Sequence, residues 1–244
     1  SLDPSKDTSP LGFNYRLNVF DALTELQRDG QMNPRLAESW SWSPDLTEWT
    51  FVLRKGVVFH DGSPCTSADV VATFTAILDP KTASPARQYI GPIAKVAAKD
   101  DATVVFSLSA PYADMPVMLA NTCAKIVPAA IVSSGLARLD REAVGTGPFK
   151  LVSFEPERLI VVTRNDAYYD KERPYLARVE VRVYPDPTAE GSALIAGDTD
   201  LQAAVQPTEY ARLAKATGVQ ALRVPSGQFC NVNMGCDQKP FNDV

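Results

Sequence analysis

Residues 51–62 read FVLRKGVVFHDG, and residues 145–150 read GTGPFK. In the first string, and just before it, Trp49, Phe51 and Leu53 alternate with Thr50, Val52 and Arg54. That is the period of a strand with one buried face. A Lys55-Gly56 turn follows, then the apolar run Val57–Phe59, expected as the hairpin partner, then an Asp61-Gly62 turn. The second string is a glycine turn running into a strand. Gly145 and Gly147 do not form a phosphate loop, because no Gly-Lys-Ser/Thr follows and the next element is not helical. Their expected role is turn geometry at positive φ.

Beyond the first string, Thr66 followed by Asp69 reads as a capping box with Asp in place of Glu or Gln. The helix it opens, SADVVATFTAIL over 67–78, should stop before Asp79-Pro80. Apolar runs at 93–99 and 103–108 around Lys99-Asp100-Asp101-Ala102 predict a hairpin, and short helices are expected near 112–120 and 128–134. After GTGPFK, 149–154 and 159–164 predict a second hairpin across Glu155-Pro156-Glu157. Toward the amino terminus, Leu17, Phe20, Leu23 and Leu26 recur every third residue, which predicts a helix over 15–27 stopped by Gly30. Toward the other end, VEVRV, a helix and DLQAAV, then a helix over PTEYARLAKA and ALRV, alternate strand with helix. Such alternation implies a parallel or mixed sheet.

Composition narrows the function. The chain has 244 residues, is 45% hydrophobic and 22% charged, and carries a formal net charge of −5. That balance argues against a nucleic-acid surface, which needs a basic face for phosphates. No apolar run approaches the ~18 residues of a membrane span, and SLDPSKDTSP has neither the basic region nor the apolar core of a signal peptide. Four cysteines (Cys65, Cys123, Cys230, Cys236) without a C-x-x-C pair, and the single His60, make a Cys/His zinc site unexpected. If 228–234 is a strand, Cys230 and Cys236 lie about 20 Å apart at ~3.3 Å per residue, beyond disulfide reach. Most of the thiols are expected free and buried. Trp40 and Trp42 share one face of a strand, and packing explains them more simply than a pocket.

Together with SLDPSKDTSP, RLAESWSWSPDLTEWTFVLRKGVVFHDGSPCTSADVVATF, RNDAYYD (164–170), ALIAGDTDLQ (193–202) and KPFNDV (239–244), the two strings resemble signatures of the family 5 extracellular solute-binding proteins. These are the peptide, dipeptide and nickel receptors of ABC importers. RNDAYYD departs from the family's Arg-Asn-Pro-x-Tyr-Trp, with Tyr169 among the departures. The resemblance implies an α/β fold, a type II periplasmic-binding-protein-like lobe with a mixed sheet, flanking helices and a hairpin-rich inserted subdomain. It assigns 1–33 and 146–244 to a core subdomain and 34–145 to the insertion. Family members are roughly twice this length, so the chain reads as the first of two lobes.

The resemblance further implies a binder and not an enzyme: a peptide or other small organic solute captured between lobes and delivered to ABC permease subunits, by a monomer. It implies no cofactor, no metal and no nucleic-acid partner, and a periplasmic or extracellular place, with or without a lipid anchor. The loop TSPLGFNY (8–15), with Phe13, Asn14 and Tyr15 ahead of a helix, is expected to border the ligand. So is SGQFCNVN (226–233), with Gln228, Phe229, Cys230 and Asn231. Phe229-Cys230 stands where the family usually has Tyr-Tyr, which removes a polar handle and suits a less polar ligand. The alternative reading is a thiol-dependent hydrolase or transferase using Cys65 or Cys123 with His60. It requires a thiol of lowered pKa beside the imidazole.

Overall fold

The computed structural model describes residues 2–6, 10–27 and 29–224. Two compact units are present, Ser1–Val183 and Tyr184–Val244.

In the first unit the strands form three sheets. β1 (Thr24–Leu26) pairs with β2 (Met32–Pro34). β3 (Ala37–Trp42), β4 (Glu48–Leu53), β5 (Ile93–Asp100) and β6 (Thr103–Leu108) make a four-stranded sheet in the order β3-β4-β6-β5. β7 (Phe149–Glu155), β8 (Leu159–Arg164) and β9 (Arg178–Arg182) make the third. The predicted hairpins at 93–108 and 149–164 are both present. The helix α2 (Ser67–Leu78) has the expected limits. The short helices α3 (Met115–Leu119) and α4 (Ala129–Ser134) fall where expected.

α2 starts where it does because Asp69 Oδ2 accepts the Thr66 N–H at 2.8 Å, satisfying a donor at the helix entry. The other oxygen, Oδ1, accepts Ala129 N–H at 2.8 Å, so one buried carboxylate ties the starts of α2 and α4 together. α2 lies on the four-stranded sheet. Phe74 meets Phe106 edge-on at 5.1 Å between ring centres, and Phe106 meets Phe51 edge-on at 5.5 Å. All three rings are fully buried, each worth about 1.5–3 kcal/mol over an exposed position. This first core draws on residues from Leu23 to Ile126. A second core joins Leu2, Tyr15, Val19 and Phe20 to Val127, Ile131, Leu139, Phe149, Ile160 and Val162.

Three expectations are corrected. The helix predicted over 15–27 is instead α1 (Pro10–Val19), and the chain beyond it turns into β1. Its stripe of leucines matched a helix, but the GTGP loop docks on the carbonyls of Asn18 and Val19 and ends the helix there. Tertiary packing overrides local periodicity. Val57–Phe59 is not the partner of β4, whose neighbours are β3 and β6. It folds back on its own turn through Phe59 N–H to Ser63 C=O (2.8 Å) and Cys65 N–H to Val57 C=O (2.9 Å). Finally, every strand pair among the described residues is antiparallel. DLQAAV (200–205) and ALRV (221–224) are not strands. Alternating apolar residues make a strand only where a neighbour completes the hydrogen-bond ladder.

In the second unit, α5 (Pro187–Ala196) is capped by Asp186, whose Oδ1 accepts Ala189 N–H at 2.8 Å. It packs on α6 (Pro207–Leu213). Among the described residues no helix is long and apolar enough to cross a membrane.

Candidate functional site

The strings FVLRKGVVFHDG and GTGPFK meet in space. His60 N–H donates to Gly145 C=O at 2.9 Å, and Lys150 Nζ donates to the His60 carbonyl at 3.3 Å. The imidazole is held between the two glycines: Gly145 N–H donates to Nδ1 (3.3 Å), while Nε2 lies 3.0 Å from the Gly147 carbonyl. Only the neutral ring protonated on Nε2 satisfies both contacts. Burial pulls the His60 pKa down to about 4, with Lys150 adding to the drop and the Gly147 carbonyl and Asp61 opposing it. The Gly147 carbonyl also accepts Asn165 Nδ2 at 3.0 Å.

The same loop seats α1. Gly147 N–H donates to the Val19 carbonyl at 3.0 Å. A Cβ on Gly145 would fall 2.1 Å from the Val19 oxygen, which no side chain tolerates. The glycine requirement is therefore one of close approach, not of positive φ as expected, since the positive-φ glycines include neither Gly145 nor Gly147.

Immediately after α1, Asp21 is buried. Thr146 Oγ1 donates to its Oδ2 (3.2 Å), and Tyr168 Oη lies 3.4 Å from Oδ1 and 3.3 Å from Tyr169 Oη. Arg35 donates to Tyr168 Oη (3.1 Å) and to Glu25 (2.5 Å), and Arg54 sits 5.1 Å over the Tyr169 ring. Burial pushes the Asp21 carboxyl up; Lys125, Arg35 and the two hydroxyls pull it part of the way back. Buried Lys125 is pulled down to about 8, with Asp21 opposing the shift. Sequence reasoning missed this network because Asp21 read as a helical residue. The available signal was Lys125 set in the apolar run Cys123-Ala124-Lys125-Ile126-Val127.

The predicted ligand residues are placed as follows. Phe13 and Asn14 lie in α1, so the expected 8–15 loop is helical from Pro10, which pre-sets the first-turn φ. Tyr15 is buried in the second core. Gln228, Phe229, Cys230 and Asn231 lie outside the described residues. Cys65 is half-buried and Cys123 is buried. The thiol reading finds no support: both His60 nitrogens face the 145–147 backbone, and burial, first of all, pushes the Cys65 thiol up, where a nucleophile needs it lowered.

Comparison with known proteins gives the following. The model described as "Bacterial extracellular solute-binding proteins, family 5 Middle" matches residues 31–244. The chain is 27% identical to the "Probable D,D-dipeptide-binding periplasmic protein DdpA" of Escherichia coli K12, covering 100% of this chain and 49% of that protein. Among solved structures it is similar to the PBP AgaA from A. tumefaciens in complex with agropinic acid. There the TM-score is 0.84 and the identity 36%, covering 89% of this chain and 44% of that one. It is also similar to Haemophilus influenzae OppA in complex with RPPGFSPFR, with TM-score 0.80 and 26% identity, covering 88% and 46%. The chain spans about half the length of the curated relatives it matches.

Proposed function

Because the chain belongs to the bacterial extracellular solute-binding proteins of family 5, with the α/β fold of the type II periplasmic binding proteins, we propose that it is one lobe of an ABC-importer receptor. In this reading the lobe supplies half of a cleft that captures a peptide or other small organic solute. The observation that carries it is the likeness to AgaA at a TM-score of 0.84 and 36% identity. Ligand bridging two lobes shifts an open–closed equilibrium toward the form that docks on the permease. No bond is made or broken. The receptor acts as a monomer outside the cytoplasm.

The lobe is assigned a core subdomain of 1–33 and 146–244 interrupted by 34–145. The chain leaves the second core after Phe20, builds the first core from Leu23 to Ile126, and re-enters at Val127, which supports an interruption but one that closes earlier than 145. Phe13, Asn14 and Tyr15 on α1, with Gln228, Phe229, Cys230 and Asn231, are assigned to the ligand. As Tyr15 is buried, the direct contacts on α1 are assigned first to Phe13 and Asn14.

The test uses the full-length receptor. A thermal-shift screen of dipeptides, oligopeptides and opine-like acids should find a class that raises the melting point, since a ligand that prefers the folded form stabilises it. Calorimetric titration of that ligand into Phe229→Ala and Asn14→Ala should show affinity lowered about tenfold or more in each, roughly 1.4 kcal/mol. Unchanged affinity in both variants rejects the assigned cleft.

A further inference from the structure

We infer that the clasp between His60 and the Gly145–Gly147 loop is an acid-releasable lock on the carboxyl-terminal end of α1. The geometry admits one protonation state. Gly145 N–H needs a bare Nδ1 to donate into, and the Gly147 carbonyl needs a proton on Nε2. A second proton on the ring would place an N–H against the Gly145 N–H at 3.3 Å, converting an attraction into a repulsion and leaving a donor without its acceptor. The charged groups facing the ring from the surrounding elements do not rescue the imidazolium. Lys150, from β7, brings a like charge and donates to the His60 carbonyl. Asp61, in the adjacent turn, favours the imidazolium, but its Oδ1 is already engaged by Ser63 N–H (3.0 Å) and Oγ (2.6 Å). Asp21 lies behind the loop, joined to it by Thr146.

What the lock holds follows from the same loop. Gly147 N–H caps the Val19 carbonyl, and both glycines are pressed against the last residues of α1. Releasing the loop therefore frees the end of the helix that carries residues 13–15. Resting on the proposed function, the consequence is a solute site that loosens in acid.

The locked ring has a pKa of about 4, against about 6.5 for a free imidazole. The released state binds the proton more readily. Release should thus be rare above pH 6.5, rise as pH falls, and level off below pH 4, up to about 300-fold higher, the ratio set by those two constants.

The experiment measures amide hydrogen exchange of Gly145 and Gly147 in the 244-residue chain between pH 7 and pH 4, expressed as protection factors so that the intrinsic pH dependence cancels. Wild type should lose protection at both amides across that range. In His60→Gln, a neutral side chain with one acceptor and one donor, protection should be flat with pH. A flat profile in wild type, or the same loss in His60→Gln, overturns the lock. If the variant does not fold, nitrogen NMR of His60 in wild type decides. An Nε2–H tautomer titrating near pH 4 supports the lock, and a midpoint near 6.5 sinks it. None of these readings needs a ligand, so failure of the assigned cleft leaves the lock standing, and failure of the lock leaves the cleft.

Discussion

A lysine sealed into the wall between two cores is the sharpest single-residue feature of this chain. Lys125 is 6% exposed, and its ammonium is shifted by burial to about 8 from an ordinary 10.5. The sign follows from proton counting. Between pH 8 and 10.5 the unfolded chain holds a proton at this residue that the folded chain has released, so stability rises with pH through that window. The amplitude is on the order of 3 kcal/mol, with the attraction of Asp21 already contained in the shift. Lys125→Met should abolish the alkaline rise, because the new side chain has no proton to release, and should push the Asp21 carboxyl further up, because the main charge opposing its burial is gone. Urea melts of both proteins from pH 7 to 10 check this; an unchanged slope in the variant would assign the rise elsewhere. Lys125 was visible in the sequence as one charge in an apolar run. What was not visible is that Asp21, Arg35 and Glu25, between 90 and 104 residues earlier in the chain, would be its electrostatic neighbours.

Among the elements, α2 is the one whose start, end and packing all agree. Its capping pair sits at the predicted positions, and its carboxylate has a second partner that no local rule supplies: Ala129 N–H, sixty residues on. Asp69→Ala should therefore cost more than the ~1 kcal/mol of an ordinary cap. It leaves two N–H donors unsatisfied, and a total of roughly 2–4 kcal/mol is expected. Asp69→Asn keeps one acceptor oxygen and should recover part of that loss, measured as the shift in urea midpoint at constant slope. α1 shows the opposite case. It starts at Pro10, five residues before the predicted 15, its end is fixed from outside by the GTGP loop, and the residues beyond it leave the helix although their spacing fits one.

At the scale of the whole molecule, the first unit is two hydrophobic cores joined by a polar seam: His60 to Gly145 and Gly147, Asp21 to Thr146, and Thr73 to Val127 at 3.2 Å. All three tryptophans lie in β3 and β4, so their fluorescence reports the first core. If the seam couples the cores, urea unfolding at pH 7 should give coincident transitions by tryptophan fluorescence and far-ultraviolet circular dichroism. Phe106→Ala, which empties the centre of the first core, should move both together by about 3–5 kcal/mol. Separated transitions in wild type would show that the seam transmits nothing.

The sequence by itself determined which residues alternate, cap and turn. It set the limits of α2, the hairpins at 93–108 and 149–164, and the family through the spelling of FVLRKGVVFHDG and GTGPFK. Those features arise from interactions within a few residues of one another, and local chemistry suffices to read them. Only the tertiary structure decided that these two strings clasp each other around one imidazole, that α1 stops at Val19, that Val57–Phe59 folds back instead of pairing with β4, and that Asp21 and Lys125 share a buried network. In each of those cases the deciding partner lies far along the chain, and burial, which sets both the cost of a charge and the worth of a hydrogen bond, exists only once the chain has folded.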